Sequence, residues 1–164
     1  LGSSLFSAQL AAHMGLPYAF ASHFAPRLLQ PALQLYRELF RPSAVLHKPY
    51  VMIGVPVIAA PTDEEAEYLA SSTYQRVLGI LTGQRGLLRP PVEGFLQGLP
   101  APERAAIGDF LAMGVVGGPD TVRAGLQALA RDTRADEFML VSDVYDPALR
   151  LRSLTLTAQA TIAG

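Results

Sequence analysis

No cysteine and no tryptophan occur in this chain of 164 residues. The lack of thiols excludes a disulfide framework and a thiolate-bound metal. Charge is scarce as well: Asp, Glu, Lys and Arg make up 16% of the residues and the net charge is -1. That balance offers no electrostatic case for nucleic acid or an anionic membrane as partner. Apolar residues reach 50% and mean hydropathy is +0.26, yet no apolar run approaches the roughly 20 residues of a membrane span. With no secretory leader in view, the expected compartment is the cytoplasm. His13, His23 and His47 have no carboxylate or second histidine at ligand spacing, so no metal site is expected. Also missing are a Walker sequence, a GxGxxG turn and a nucleophile elbow.

Glycine and proline, by contrast, are plentiful, and the first seventeen residues, LGSSLFSAQLAAHMGLP, show how they punctuate the chain. Leu1 reads as the end of a strand. Gly2, Ser3 and Ser4 make a small polar turn, and Leu5, Ala8, Ala11, Ala12 and Met14 recur at helical spacing until Gly15 and Pro17 stop the helix. A helix that opens this way directs free amides, hydroxyls and the positive end of its dipole at one spot, which receives an anion such as a phosphate. The same residues suit a plain cap, with Ser4 as N-cap and Ser7 facing back onto the first turn. The residues alone leave both readings open.

Two stretches carry a family resemblance. LGSSLFSAQLAAHMGLPYAFASHFAP is similar to the middle of the bacterial luciferase-like, flavin-dependent monooxygenases, and DEFMLVSDVYDPALRLRS resembles the last strand and helix of that family. They stand near the two ends of the chain in the family's order. The resemblance implies that the hydroxyls of Ser4 and Ser7 bind the flavin phosphate, with Gly2 and Ser3 beside them. Ser3 departs from the luciferases proper, which carry an acidic residue there. It also implies a (β/α)8 TIM barrel, which takes roughly 250 residues. The expectation is therefore an α/β chain, residues 1–164, forming the C-terminal half of such a barrel, from the end of strand five to helix eight, as a piece of a longer protein. The apolar excess agrees, because parallel strands in a barrel are covered on both faces.

Between these stretches the elements follow from pattern. Tyr18–Ser22 reads as a buried strand. Pro26 opens a helix whose apolar stripe runs from Leu28 to Phe40, with Pro31 shifting its start or bending it. Tyr50–Ala60 reads as a long strand in which Gly54 and Pro56 mark a bulge or a broken ladder. Thr62, with Glu65 three residues on, reads as a capping box for a helix to about Leu81. Gly83–Pro102 reads as a long connection, which the resemblance makes a mobile lid. Arg85 and Arg89 on it are solvated arginines or contacts across the mouth. Ala105–Met113 reads as a short helix, and Val115–Asp120 as a turn into a helix over Thr121–Arg131. Gly117 and Gly118 in that turn are a second-ranked phosphate site. Glu137–Val144 reads as the last strand.

On a barrel the active-site face lies at the C-terminal strand ends, which nominates Ser22, His23, Ser142 and Asp143. His23 is the catalytic candidate, because a neutral imidazole there can hydrogen-bond the flavin edge; an ordinary surface histidine is the competing reading. Asp143 is either a mouth residue or a turn cap. Ser22 joins Gly2, Ser3, Ser4 and Ser7 as candidate cofactor contacts. The resemblance implies oxidation of a small organic substrate by reduced FMN and oxygen, with electrons from a flavin reductase or a nicotinamide, in a full-length homodimer. Two other functions compete: hydride transfer with the deazaflavin F420 in the same superfamily, and a non-catalytic half-barrel that serves as an assembly partner.

Overall fold

Gly2 makes the first long-range connection. Its amide donates to the Ala19 carbonyl at 3.0 Å and its own carbonyl accepts from Ala21 N at 2.9 Å, a parallel bridge to Phe20. Gly2, which the sequence places in the turn after a strand end at Leu1, is thus itself the residue paired like a strand end. The computed structural model describes residues 1–162. They divide into two compact units, one of Leu1–Val55 with Gln127–Leu140, the other of Pro56–Leu126 with the chain from Val141 onward.

The first unit holds α1 (Leu5–His13), β1 (Tyr18–Phe20), a 3-10 turn (Pro26–Leu28), α2 (Leu29–Leu39) and the beginning of β2 (Val51–Ala59). Helix α1 stops at Gly15, whose φ of +61° is left-handed and favours a residue without Cβ. Helix α2 buries Leu29, Ala32, Leu33 and Tyr36, the i, i+3, i+4, i+7 stripe of an amphipathic helix. Pro31 is its third residue, where the amide has no intrahelical acceptor, so the proline removes no helical bond. Strands β1 and β2 pair in parallel from Tyr18 opposite Val51 to Phe20 opposite Ile53. The buried Tyr36 hydroxyl donates to Leu16 O at 2.8 Å and accepts from Tyr50 N at 3.2 Å, which ties the ends of this parallel pair to α2.

The second unit holds the rest of β2, then α3 (Asp63–Leu81), α4 (Ala101–Phe110), β3 (Val115–Gly117) and α6 (Pro147–Ile162). Thr62 caps α3 as predicted, its Oγ1 accepting from Glu65 N at 3.1 Å, but only this half of the expected capping box is formed, and the Glu65 carboxylate lies 3.7 Å from Arg152. Two expectations are corrected. Val115–Gly117 is a strand paired in parallel with Val57–Ala59, not the lead-in to a helix; two valines need only a neighbour to supply the ladder. Helix α4 starts at Ala101, because Pro102 lies in its first turn, where proline starts helices and does not break them. Strand β2 runs on through Gly54 and Pro56, and the break in the ladder expected there is present as a change of partner. Its β1 register ends at Ile53 and its β3 register begins at Val57, so a proline without an amide sits in neither ladder.

Besides β2, two elements cross the division of the chain. Helix α5 (Pro119–Thr133) is longer at both ends than its pattern suggests, and β4 (Glu137–Val141), which pairs with β2, is shorter. The second unit's core is built from Ile58, Ala66, Leu69, Ala70, Tyr74, Val77 and Ile107, and Phe95, Leu96 and Leu99 from the long connection pack against it. The result is an α/β fold with parallel strand pairing. Among the described residues no helix is long and apolar enough to cross a membrane.

Candidate functional site

Helix α1 opens on a closed ring of serine hydrogen bonds. Ser4 is its N-cap, with extended backbone at φ −138° and ψ 161°. The Ser4 hydroxyl accepts from Ser7 N at 3.2 Å. In return Ser7 Oγ accepts from Ser4 N at 3.3 Å and donates to Ser4 O at 2.8 Å. This is a capping box with serine in the place usually held by Glu or Gln. Ser7 is also engaged from β1: the Tyr18 hydroxyl lies 3.1 Å from Ser7 Oγ and 3.2 Å from Ser4 O, two acceptors within reach of its one proton. Burial pushes the Tyr18 phenol up from its usual range, and the bond to Ser7 opposes that rise.

The two serines therefore differ. Ser4 is exposed, and its hydroxyl stands beside the first-turn amides that precede any intrahelical acceptor. Ser7 is partly buried, turned inward and occupied. Gly2 makes the arrangement possible, because a Cβ on it would come within 2.2 Å of Ser7 Oγ. Ser3, partly buried, joins Gly2 to the cap.

Strand β1 ends beside this turn, since Ala21 N is bonded to Gly2 O. The next residue, Ser22, is fully buried and donates to Gly54 O at 2.6 Å. Its proton is spent on the neighbouring strand, a bond that fixes the strand end beside the turn. His23 comes next, stacked on Phe24 with ring centroids 4.1 Å apart. Its Nδ1 is buried without a hydrogen-bond partner among the described residues. A Cβ on Gly54 would approach that nitrogen to 2.8 Å, so the glycine read as a bulge signal is the seat on which the imidazole rests. The structure thus brings Gly2, Ser3, Ser4, Ser7, Ser22 and His23 together at two paired strand ends.

The other nominated residues lie in the second unit, and Gly118, Ser142 and Asp143 among them are already engaged. Gly118 N, in the second-ranked phosphate turn, donates to Asp63 Oδ1 at 2.6 Å, and Thr121 Oγ1 donates to Asp63 Oδ2 at 3.1 Å. These bonds, the Gly118 amide first, hold the Asp63 carboxyl below the usual carboxylate range. An anion from the chain itself fills the place offered to a phosphate. Asp143 is paired with Arg76, and its carbonyl accepts from Thr73 Oγ1 at 3.0 Å. Ser142 Oγ lies 3.4 Å from Ser153 Oγ. Arg89 lines a cavity of about 310 Å³ with Gln75, Arg76, Phe95 and Glu103, whereas Arg85 is simply exposed. No cluster of His, Asp or Glu among the described residues could hold a metal ion.

Sequence reasoning missed Tyr18 and Gly54. The available signals were that a tyrosine in a buried strand must bond its hydroxyl, and that a glycine inside a strand can mark close approach as well as a bulge.

Comparison with known proteins extends the family reading over most of the chain. The family described as luciferase-like monooxygenase matches residues 1–137. YvbT of Bacillus subtilis (strain 168), described as uncharacterized, is 48% identical over 158 residues, which are 96% of this chain and 47% of that protein. A luciferase-like monooxygenase of Escherichia coli (strain K12) is 46% identical over 156 residues, 95% of this chain and 47% of its own length. The crystal structure of apo-MsnO8 superposes with a TM-score of 0.86 at 34% identity, covering 99% of this chain and 50% of that one. The chain thus spans about half the length of the curated relatives it matches. The serine turn, the strand behind it and every element from there through α5 fall inside the matched region, and the chain belongs to the luciferase-like monooxygenase family.

Proposed function

We propose that the intact protein is a flavin-dependent monooxygenase that uses reduced FMN and oxygen on a small organic substrate, and that this chain is the C-terminal half of its (β/α)8 barrel. The supporting observation is the pairing of an exposed cap hydroxyl on Ser4 with an unpartnered buried imidazole nitrogen on His23, at adjacent strand ends. That donor set fits a phosphorylated flavin. Ser4 Oγ and the Leu5 and Phe6 amides would hold the phosphate dianion at the positive end of α1. Gly2, Ser3 and Ser7 shape the turn that presents them. His23 would offer a hydrogen bond near the ring, and Ser22 holds the strand end in place. The flavin itself supplies the oxygen chemistry, while the protein binds, orients and excludes water. The reading further includes a cytoplasmic homodimer, with reduced flavin delivered by a reductase or a nicotinamide.

The turn recognises a phosphate and not a ring, so it suits the deazaflavin F420 as well. Titrating the purified intact protein with FMN, riboflavin and F420 separates these cases. FMN should bind, and Ser4→Ala should weaken it about tenfold to a hundredfold, the worth of one hydrogen bond to a charged group, while leaving riboflavin almost unchanged. His23→Ala should lower turnover with little effect on FMN affinity. Binding of F420 alone would select hydride transfer. Binding of none of the three would leave a non-catalytic assembly partner.

A further inference from the structure

We infer that Tyr18 is a positioning residue for the phosphate turn: by occupying Ser7 Oγ from the strand side, it frees the Ser4 hydroxyl proton to donate outward. This rests on the reading of Ser4 as a phosphate contact. Donors and lone pairs decide which hydroxyl turns outward. Ser7 Oγ spends its proton on Ser4 O at 2.8 Å, which leaves two lone pairs. The Ser4 amide takes one at 3.3 Å. Two hydroxyls reach the other: Tyr18 at 3.1 Å and Ser4 Oγ at 3.3 Å. Whichever donates there excludes the other.

Tyr18 has the shorter contact and a held ring, and the other acceptor in its reach, Ser4 O at 3.2 Å, already takes the Ser7 proton at 2.8 Å and the Ala8 amide at 3.3 Å. It is 2% exposed, with Tyr36 5.2 Å away and Phe20 6.2 Å away between centroids. Little side-chain entropy is left for it to lose on making the bond. When Tyr18 donates to Ser7, the Ser4 hydroxyl still accepts from Ser7 N at 3.2 Å, and its proton points to solvent, the direction of an anion at the helix start. Without the phenol, that proton turns inward to Ser7 and the turn presents an oxygen lone pair to the phosphate. Oxygen facing oxygen repels an anion where a hydroxyl donor would hold it.

The test is a set of binding titrations of the intact protein with FMN and with riboflavin. Tyr18→Phe keeps the ring and should weaken FMN about tenfold or more, the worth of a hydrogen bond to a charged group, with riboflavin unchanged. In a Ser7→Ala background the contested lone pair is gone, so adding Tyr18→Phe should change FMN affinity by less than about twofold, a non-additivity that marks a shared partner. A loss of the same size in both backgrounds, or equal losses for FMN and riboflavin, would overturn the inference and leave Tyr18 a core residue. If Tyr18→Phe fails to fold, Ser7→Ala alone decides: FMN preference retained supports the freed Ser4 proton, and preference abolished overturns it. Should the parent protein bind FMN and riboflavin equally, the phosphate reading itself fails, a result distinct from any of these.

Discussion

Gly2 and Ser7 stand so close that one carbon more on Gly2 would overlap the serine hydroxyl. Gly2→Ala should therefore push Ser7 out of the capping box. Overpacking of this kind costs about 1–3 kcal/mol. The expected outcome is a lower melting temperature together with weaker FMN binding, read by calorimetry and titration. An unchanged melt would show that the turn yields without cost.

Ser22→Ala should separate stability from binding. It leaves the Gly54 carbonyl unpaired in a buried setting, which costs about 1–3 kcal/mol. Because that hydroxyl is committed to β2, the preference for FMN over riboflavin should survive. A melt together with the two titrations checks this, and a selective loss of FMN affinity would return Ser22 to the cofactor.

Asp63 gives a pH signature. Its carboxyl is held low by the Gly118 amide and the Thr121 hydroxyl. A group with a depressed folded pKa contributes stability that is fully present above its unfolded value of about 4 and is lost as pH falls through the folded value. Asp63→Asn should be less stable than the parent at neutral pH, with the gap closing below about pH 4. Melting curves across that range test it, and a gap that stays constant into acid would remove the linkage.

The long connection should be cut in its first part. Residues 84–92 have no regular structure, and Arg85 and Leu87 are exposed, Leu87 at 93%. Further on, Val92 N is bonded to Ser71 Oγ at 2.7 Å and Phe95, Leu96 and Leu99 lie against the core. Brief trypsin treatment and then mass spectrometry should find cleavage after Arg85 well before cleavage after Arg104. The reverse order would place the mobile part elsewhere.

Much of the fold was legible in the sequence wherever the cause is local. Thr62 and Glu65 mark the start of α3 because a cap bond spans three residues, and the serine turn is readable for the same reason. The α2 stripe is readable because its period is the helix's own. What escaped depends on partners distant in the chain. Val115–Gly117 is too short to announce itself and becomes a strand only beside Val57–Ala59. The competing uses of Gly118, as a phosphate turn or as a partner for Asp63, are decided by a carboxylate 55 residues away. Hydrophobic patterning treats Tyr18 as one more apolar strand residue, whereas its hydroxyl organises the turn. The bond from Ser22 to Gly54 was not legible either, because the pattern places Ser22 at a strand end but does not say which carbonyl lies within reach.

The amide of Ala59 is bonded at 2.8 Å to the hydroxyl of Ser153, a buried residue of α6. A strand amide left open is a socket for any stray extended chain, and a row of them is how sheets grow into aggregates. Here the last residue of β2 has that socket stoppered by a helix side chain. Near it, Thr157 returns its own hydroxyl to the Ser153 carbonyl at 2.8 Å, so the stopper adds no unsatisfied polar atom of its own. At Ala59 the ladder is closed from the side by α6, two residues before Pro61 turns the chain away.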